Sequence, residues 1–161
     1  MPNICWFEMR ISGNSENCEE LINVLSGAHP HWKMGEVTVM GSNKIGFDEY
    51  GDIYDVFGSC TPNVVKAMTE EGDYCKYPNR NSTSLVVECG RLNTSIDVLS
   101  VGFDEANGKG FAEHLYYFDG ELDLYQHREN LDLPAMTSAP ESIQDMLSAN
   151  GLGSLFEFVI E

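Results

Sequence analysis

Between Ser95 and Tyr125 the chain alternates apolar and polar residues and is cut twice by turn dipeptides. Period-two alternation places successive side chains on opposite faces of a strand, so this stretch reads as a three-stranded antiparallel meander. Ser95–Phe103 is the first strand, Asn107-Gly108 a turn, and Phe111–Phe118 the second strand. Asp119-Gly120 is a tight-turn dipeptide, and Leu122–Tyr125 is the third strand. Upstream, residues 4–11 alternate as another strand, with Trp6 and Glu8 opposite Phe7, Met9 and Ile11. Val37–Met40 reads as a short strand. Ile45–Phe47 and Ile53–Phe57 flank the turn-prone segment Asp48–Asp52 as a hairpin. Leu155–Ile160 reads as a final strand.

Helical spacing fills the gaps. Ser15 stands as an N-cap before Cys18, Leu21, Ile22 and Leu25, which share one helix face, and Gly27 closes that helix. Thr61 and Pro62 occupy N-cap and first-turn positions of a second helix that carries Val64, Val65 and Met68 and stops at Gly72. Residues 83–92, with Leu85, Cys89 and Leu92, fit a short helix. Ser138 and Glu141 form a capping box before Ile143, Met146 and Leu147, and Asn150-Gly151 ends that helix. The expectation is an α+β protein forming a single domain over residues 1–161.

Composition decides which functions such a fold can host. Hydrophobic residues make up 42% of the 161 residues, enough for a packed core. No run approaches the roughly 18 apolar residues needed to span a bilayer, and the first residues lack the basic and apolar regions of a signal peptide, so the expectation is a cytoplasmic protein. The five cysteines, Cys5, Cys18, Cys60, Cys75 and Cys89, are widely spaced and read as small buried apolar residues. Nine Lys and Arg stand against 26 Asp and Glu, for a net charge of −17. That balance argues against direct nucleic-acid binding, which needs a basic footprint, and disfavours anionic membranes. It favours partners with basic surfaces.

Few residue patterns suggest catalysis. His29 and His31 flank Pro30 and offer two imidazoles, which are not a metal site by themselves. Glu113-His114 sits in a strand, where neighbours point to opposite faces. Cys60 lacks a marked base, and Gly108-Lys109-Gly110 lacks phosphate-loop spacing. No calcium loop occurs, so no metal or cofactor is expected. The acidic clusters are the stronger candidates: Asp48, Glu49, Asp52 and Asp55; Glu70, Glu71 and Asp73; Asp104 and Glu105; and Asp119, Glu121 and Asp123. Strand spacing would line the last three along one face.

Several landmarks together resemble the YubB-type ferredoxin-like family of plasmids and phages. They are Met1-Pro2-Asn3 with Cys5 and a strand ending at Gly13, then Asp104-Glu105, Gly108-Lys109-Gly110-Phe111, Glu113-His114 and Gly120-Glu121. Gly58-Ser59-Cys60 stands where that family has a Gly-x-Cys-Ala-Trp-Ser-like stretch, and Thr61-Pro62-Asn63 replaces its last three residues. The resemblance implies a ferredoxin-like sandwich over residues 1–125, an antiparallel sheet with helices packed on one face, and a C-terminal helix–strand extension over 126–161. It also implies carriage by phages or other mobile elements, and no established activity. With the charge, this gives the expected function: a non-enzymatic inhibitor of a host nucleic-acid-acting defence enzyme (anti-CRISPR or anti-restriction), blocking a basic surface by DNA mimicry. The alternatives are a small enzyme or ligand-binding domain with a pocket near Glu113, His114 and Cys60, and a structural or assembly accessory protein.

Overall fold

The computed structural model describes residues 5–27, 33–34, 37–60, 75–76, 85–104, 108–118, 120–133, 140–153 and 156–160. Its main body is a six-stranded antiparallel sheet. The strands are β1 (Cys5–Gly13), β3 (Val37–Asp48), β4 (Gly51–Cys60), β6 (Ser95–Asp104), β7 (Lys109–Phe118) and β8 (Glu121–Leu131), in the order β3-β4-β1-β6-β7-β8. Two-residue strands β2 (Lys33–Met34) and β5 (Cys75–Lys76) pair separately. The helices are α1 (Ser15–Ser26), α2 (Leu85–Arg91) and α3 (Ile143–Ala149).

Alternation and turn chemistry account for the strands. The meander forms as β6, β7 and β8, with Asp97 opposite Tyr116 and His114 opposite Gln126. The β3–β4 hairpin is longer than the sequence indicated. Val37–Met40 and Ile45–Phe47 belong to one strand, interrupted by irregularities at Val39/Gly41 and Lys44/Gly46. The β8 edge is irregular too, between Gly110/Ala112 and between Tyr116/Tyr117 of its pairing with β7. Bulges on both outer strands blunt edges that would otherwise offer a flat ladder to another chain. Two cross-strand glycines make room for rings. A Cβ on Gly41 would come within 2.6 Å of the Phe57 ring, and one on Gly102 within 2.2 Å of Phe111.

The sheet has two cores because it is covered twice. Phe7, Met9 and Ile11 of β1 join Val56, Ile96, Val98 and Leu115 beneath Cys18, Leu21, Val24 and Leu25 of α1, with Cys89 of α2. On the reverse face Leu99, Val101 and Ala112 pack with Ile143 and Leu147 of α3 and with Phe156 and Phe158 of the tail. β6 is buried at every residue from Ile96 to Gly102, which requires cover on both sides. The ferredoxin-like sandwich with helices on one face is therefore corrected. The architecture is an open six-stranded sheet in which α1 and α2 cover one face and α3 with the tail covers the other.

Local expectations are corrected in the same way. Asn14, not Ser15, caps α1, its Oδ1 accepting the Glu16 amide at 2.9 Å. Ser142, not Ser138, caps α3, accepting the Asp145 amide at 3.1 Å, and Ser138 lies outside the described residues. Gly27 closes α1 at φ 80°, where a left-handed cap favours glycine. The tail is not a strand. Every sheet strand beneath it already has its ladder partners, so the tail crosses the face and finds side chains instead. Phe158 N–H donates to Gln144 Oε1 at 2.9 Å, and Ile160 N–H donates to Asp97 Oδ2 at 2.9 Å. The second helix expected over 61–72 lies outside the described residues. Cys5, Cys18, Cys60 and Cys89 are buried. Among the described residues, no helix is long and apolar enough to cross a membrane.

At Gly58 a Cβ would meet Thr38 O at 2.0 Å, whereas at Gly46 it would meet nothing within 4 Å. Gly58→Ala is expected to lose about 3 kcal/mol in urea unfolding and Gly46→Ala less than about 0.5 kcal/mol. Equal effects would mean that the close approach of β3 to β4 at Gly58 does not constrain the fold.

Candidate functional site

The β3–β4 turn, the β7–β8 turn and the start of α1 all lie at one end of the sheet. Gly13 of β1 pairs with Asp52, and Phe118 pairs with Glu121. Asp48 is fixed here as a turn anchor. It accepts the Tyr50 amide at 2.8 Å and the Ser12 hydroxyl at 3.1 Å. Asp52 holds Lys44 at 3.2 Å, and Glu49, Glu121 and Asp123 are exposed. Glu16 and Glu19 stand exposed in the first turns of α1.

Three neutral groups register the resulting field. The Tyr50 phenol is pushed up first by Glu49, and Asp48 adds to this. Tyr116 is pushed up by burial and then by Asp97, Asp123 and Asp48 among its neighbours. Cys18 rises to about 12 through burial, with Asp52, Glu19 and Asp48 contributing. Carboxylates from two sequence clusters thus act on shared groups at one end. Aromatic rings accompany them. Tyr50 meets Phe118 edge-on at 5.5 Å, Tyr116 lies 6.1 Å from Phe118, and Phe47 is 81% exposed. A hollow of about 250 Å³ lies between Asp48, Tyr50, Tyr116, Phe118, Val159 and Ile160.

Other predicted positions separate from this end. Asp104 lies at the opposite end of β6, paired in register with Lys109, whose ammonium meets Asp132. Asp123 falls where the β7–β8 register shifts between Leu122 and Leu124, so Glu121 and Asp123 do not share one regular face. Glu70, Glu71, Asp73, Glu105 and Asp119 lie outside the described residues, as do His29 and His31. Among the described residues, no group of three or more His, Cys, Asp or Glu is placed to hold a metal ion.

Glu113 and His114 are divided by the sheet. Glu113 accepts the Tyr125 hydroxyl at 2.6 Å and has His127 Nδ1 at 3.4 Å. His114 sits on the reverse face, its Nε2 bonded to Asp97 Oδ1 at 2.6 Å. Cys60 is buried in the α1-side core on β4, with β1 and β6 between it and β7. These three residues do not converge on a pocket.

Asp55 departs furthest from its cluster. It stands opposite Arg10 on β1 and beside Glu8 on the reverse face of the sheet. A cleft of about 360 Å³ opens over the Glu8–Asp55 pair, walled by Trp6, Phe57, Pro140 and Ile143, with Glu141 at its rim. Glu8 is pushed up to about 7, first by burial and then by the Asp55 carboxylate, while Arg10 and the Ile143 amide pull it down. Two carboxyls this close hold a proton well above the ordinary range. The pair joins residues far apart in sequence. The available signal was an acidic side chain on the reverse face of each strand, at Glu8 and at Asp55.

No protein-family description, no curated protein and no solved structure matches the chain.

Between about 4.5, its ordinary value, and about 7, Glu8 holds a proton in the folded chain that the unfolded chain has released. Its contribution to stability is therefore full below about 4.5 and is lost as pH rises through about 7. Relative to Glu8→Gln, the natural chain is expected to lose about 1–2 kcal/mol between about pH 5 and about pH 8, allowing for solvent screening, in urea unfolding. A pH-independent difference would rule out the retained proton.

Proposed function

We propose that this chain is a non-enzymatic binding protein that presents the acidic, aromatic end of its sheet to the basic surface of a nucleic-acid-acting enzyme. The observation that carries this reading is the convergence of Asp48, Glu49, Asp52, Glu121 and Asp123 at one end of a chain with net charge −17. The internal use of cations supports it. Lys44, Arg91 and Lys109 are each paired with a carboxylate, and Arg10 is committed to the tail. Those bases are thus engaged within the fold, and the field left at the hairpin end is negative.

The setting is that of a phage or other mobile element, and the site of action is the cytoplasm of a bacterial host. The resemblance to the YubB-type family supports that setting. An inhibitor of a restriction or CRISPR enzyme fits it, with carboxylates taking the place of phosphates in a basic channel. Asp104 at the far end of the sheet argues against a charge line as long as a duplex. The acidic end instead suits end-on insertion, with Tyr50 and Phe47 supplying apolar contact beside the charges.

Binding to a panel of restriction nucleases and CRISPR effectors is expected at about 50 mM salt, weakening steeply by about 200 mM. Glu49→Lys combined with Asp123→Lys should weaken it by about 100-fold, and Asp104→Lys by less than about threefold. Failure to bind any panel member at low salt would overturn the reading.

A further inference from the structure

The Glu8–Asp55 cleft lies on the reverse face of the sheet, away from the acidic turns. Its floor is two carboxyls on neighbouring strands, and its walls are Trp6, Phe57, Pro140 and Ile143. Asp55 Oδ1 is fully buried and has no hydrogen-bond donor. A buried acceptor without a donor is unfavourable, and a donor delivered into the cleft would relieve it. The walls restrict what that donor can be carried on. Indole and phenyl faces favour a cation on an apolar stem, since ring faces attract positive charge and the stem replaces water along them.

We infer that this cleft receives one arginine or lysine side chain from a partner protein, its cation on Glu8 and Asp55 and its aliphatic stem between Trp6 and Phe57. The partner class rests on the proposed function, because a basic surface supplies such side chains. The cleft's chemistry does not depend on it. A volume of about 360 Å³ has room for a single long side chain.

Every charged group near the pair bears on the proton that the incoming cation meets. Asp55 comes from β4, Arg10 from β1 and Glu141 from the segment before α3. Arg10, cross-strand from Asp55, donates to Ile160 O at 2.7 Å and lies 4.2 Å over the Phe158 ring, and its charge lowers the Glu8 pKa without outweighing burial and Asp55. Asp97, diagonally across on β6, is engaged by His114 and the tail amides. From α3, Gln144 accepts the Phe158 amide and Asp145 is exposed. The cation therefore meets a pair in which Glu8 holds the proton, and binding releases that proton to solvent. With the midpoint of Glu8 at about 7, affinity should rise about tenfold between pH 6 and pH 8.

The test uses the full chain and a blocked pentapeptide, acetyl-Gly-Gly-Arg-Gly-Gly-amide, against its citrulline counterpart, which keeps the shape and loses the charge. Binding is read by NMR at the Trp6 indole and by calorimetry in buffers of different ionisation heat. The expected result is saturable binding of the arginine peptide at pH 8, about tenfold weaker at pH 6, with proton uptake by the buffer and no response to citrulline. Glu8→Gln with Asp55→Asn should abolish the response while Trp6 keeps its folded resonance. If the two peptides respond equally, or the arginine peptide fails at pH 8, the inference falls. The natural chain alone decides this, so a variant that does not fold leaves the test intact. Loss of peptide binding, with partner binding still sensitive to Glu49→Lys, would remove the cleft and leave the proposed function standing. Peptide binding without any nuclease or effector partner would do the reverse.

Discussion

A single carboxylate buried in the middle of the sheet decides how the second face closes. Asp97 is fully buried on β6. A buried charge is costly unless donors surround it. Its Oδ1 is met by His114 Nε2, and its Oδ2 by the Val159 and Ile160 amides. Arg10, its cross-strand neighbour on β1, donates to the Ile160 carbonyl and stacks on Phe158. The last described residues are therefore held by side chains where a strand ladder is unavailable. That clamp lowers Phe156 and Phe158 onto Leu99 and Val101, completing the core in which α3 sits. The Ile143 wall of the Glu8–Asp55 cleft follows from the same closure.

The central strands were legible in the sequence because alternation and turn dipeptides act locally. β1, β6 and β7 follow the strands expected over residues 4–11, Ser95–Phe103 and Phe111–Phe118 closely. β3 was legible only in pieces, since Gly41, Ser42, Asn43 and Gly46 give no apolar rhythm on an irregular edge. The two-sided cover was missed although a signal was present. Ile96 to Gly102 is nearly continuous in small and apolar residues, the mark of a strand buried on both faces. Asp97 disguised it, because a carboxylate in such a strand reads as a solvent-facing position until its partners are known. The tail misled in the opposite sense. Phe156-Glu157-Phe158-Val159-Ile160 alternates like a strand, but the alternation reflects Phe156, Phe158 and Ile160 pressed onto a face while Glu157 and Val159 look outward.

The acidic residues divide into kinds that composition cannot separate. Asp97, Glu88 and Glu113 are buried and engaged in the fold. Glu88 takes Arg91 Nε at 2.5 Å, and the same guanidinium reaches Glu20 at 3.0 Å, tying α2 to α1. Asp48 builds a turn. Charge counted along the sequence therefore overstates the field available to a partner, and the hairpin end stands out only once the turns are placed together in space.

The hairpin end and the cleft obey different physics, which makes their roles separable. Exposed carboxylates at the turns act through a field that salt screens over about 8–10 Å. Such a field accelerates encounter and orients a partner more than it holds one. The Glu8–Asp55 pair lies between apolar walls, where screening is weaker than at the exposed turns and proton occupancy controls the charge. Salt should therefore act mainly through the turns and pH mainly through the cleft. A partner engaging both would be drawn by the acidic end at a rate that falls with ionic strength. It would then be retained by a contact whose affinity rises as the medium becomes more alkaline, because binding must displace the proton on Glu8.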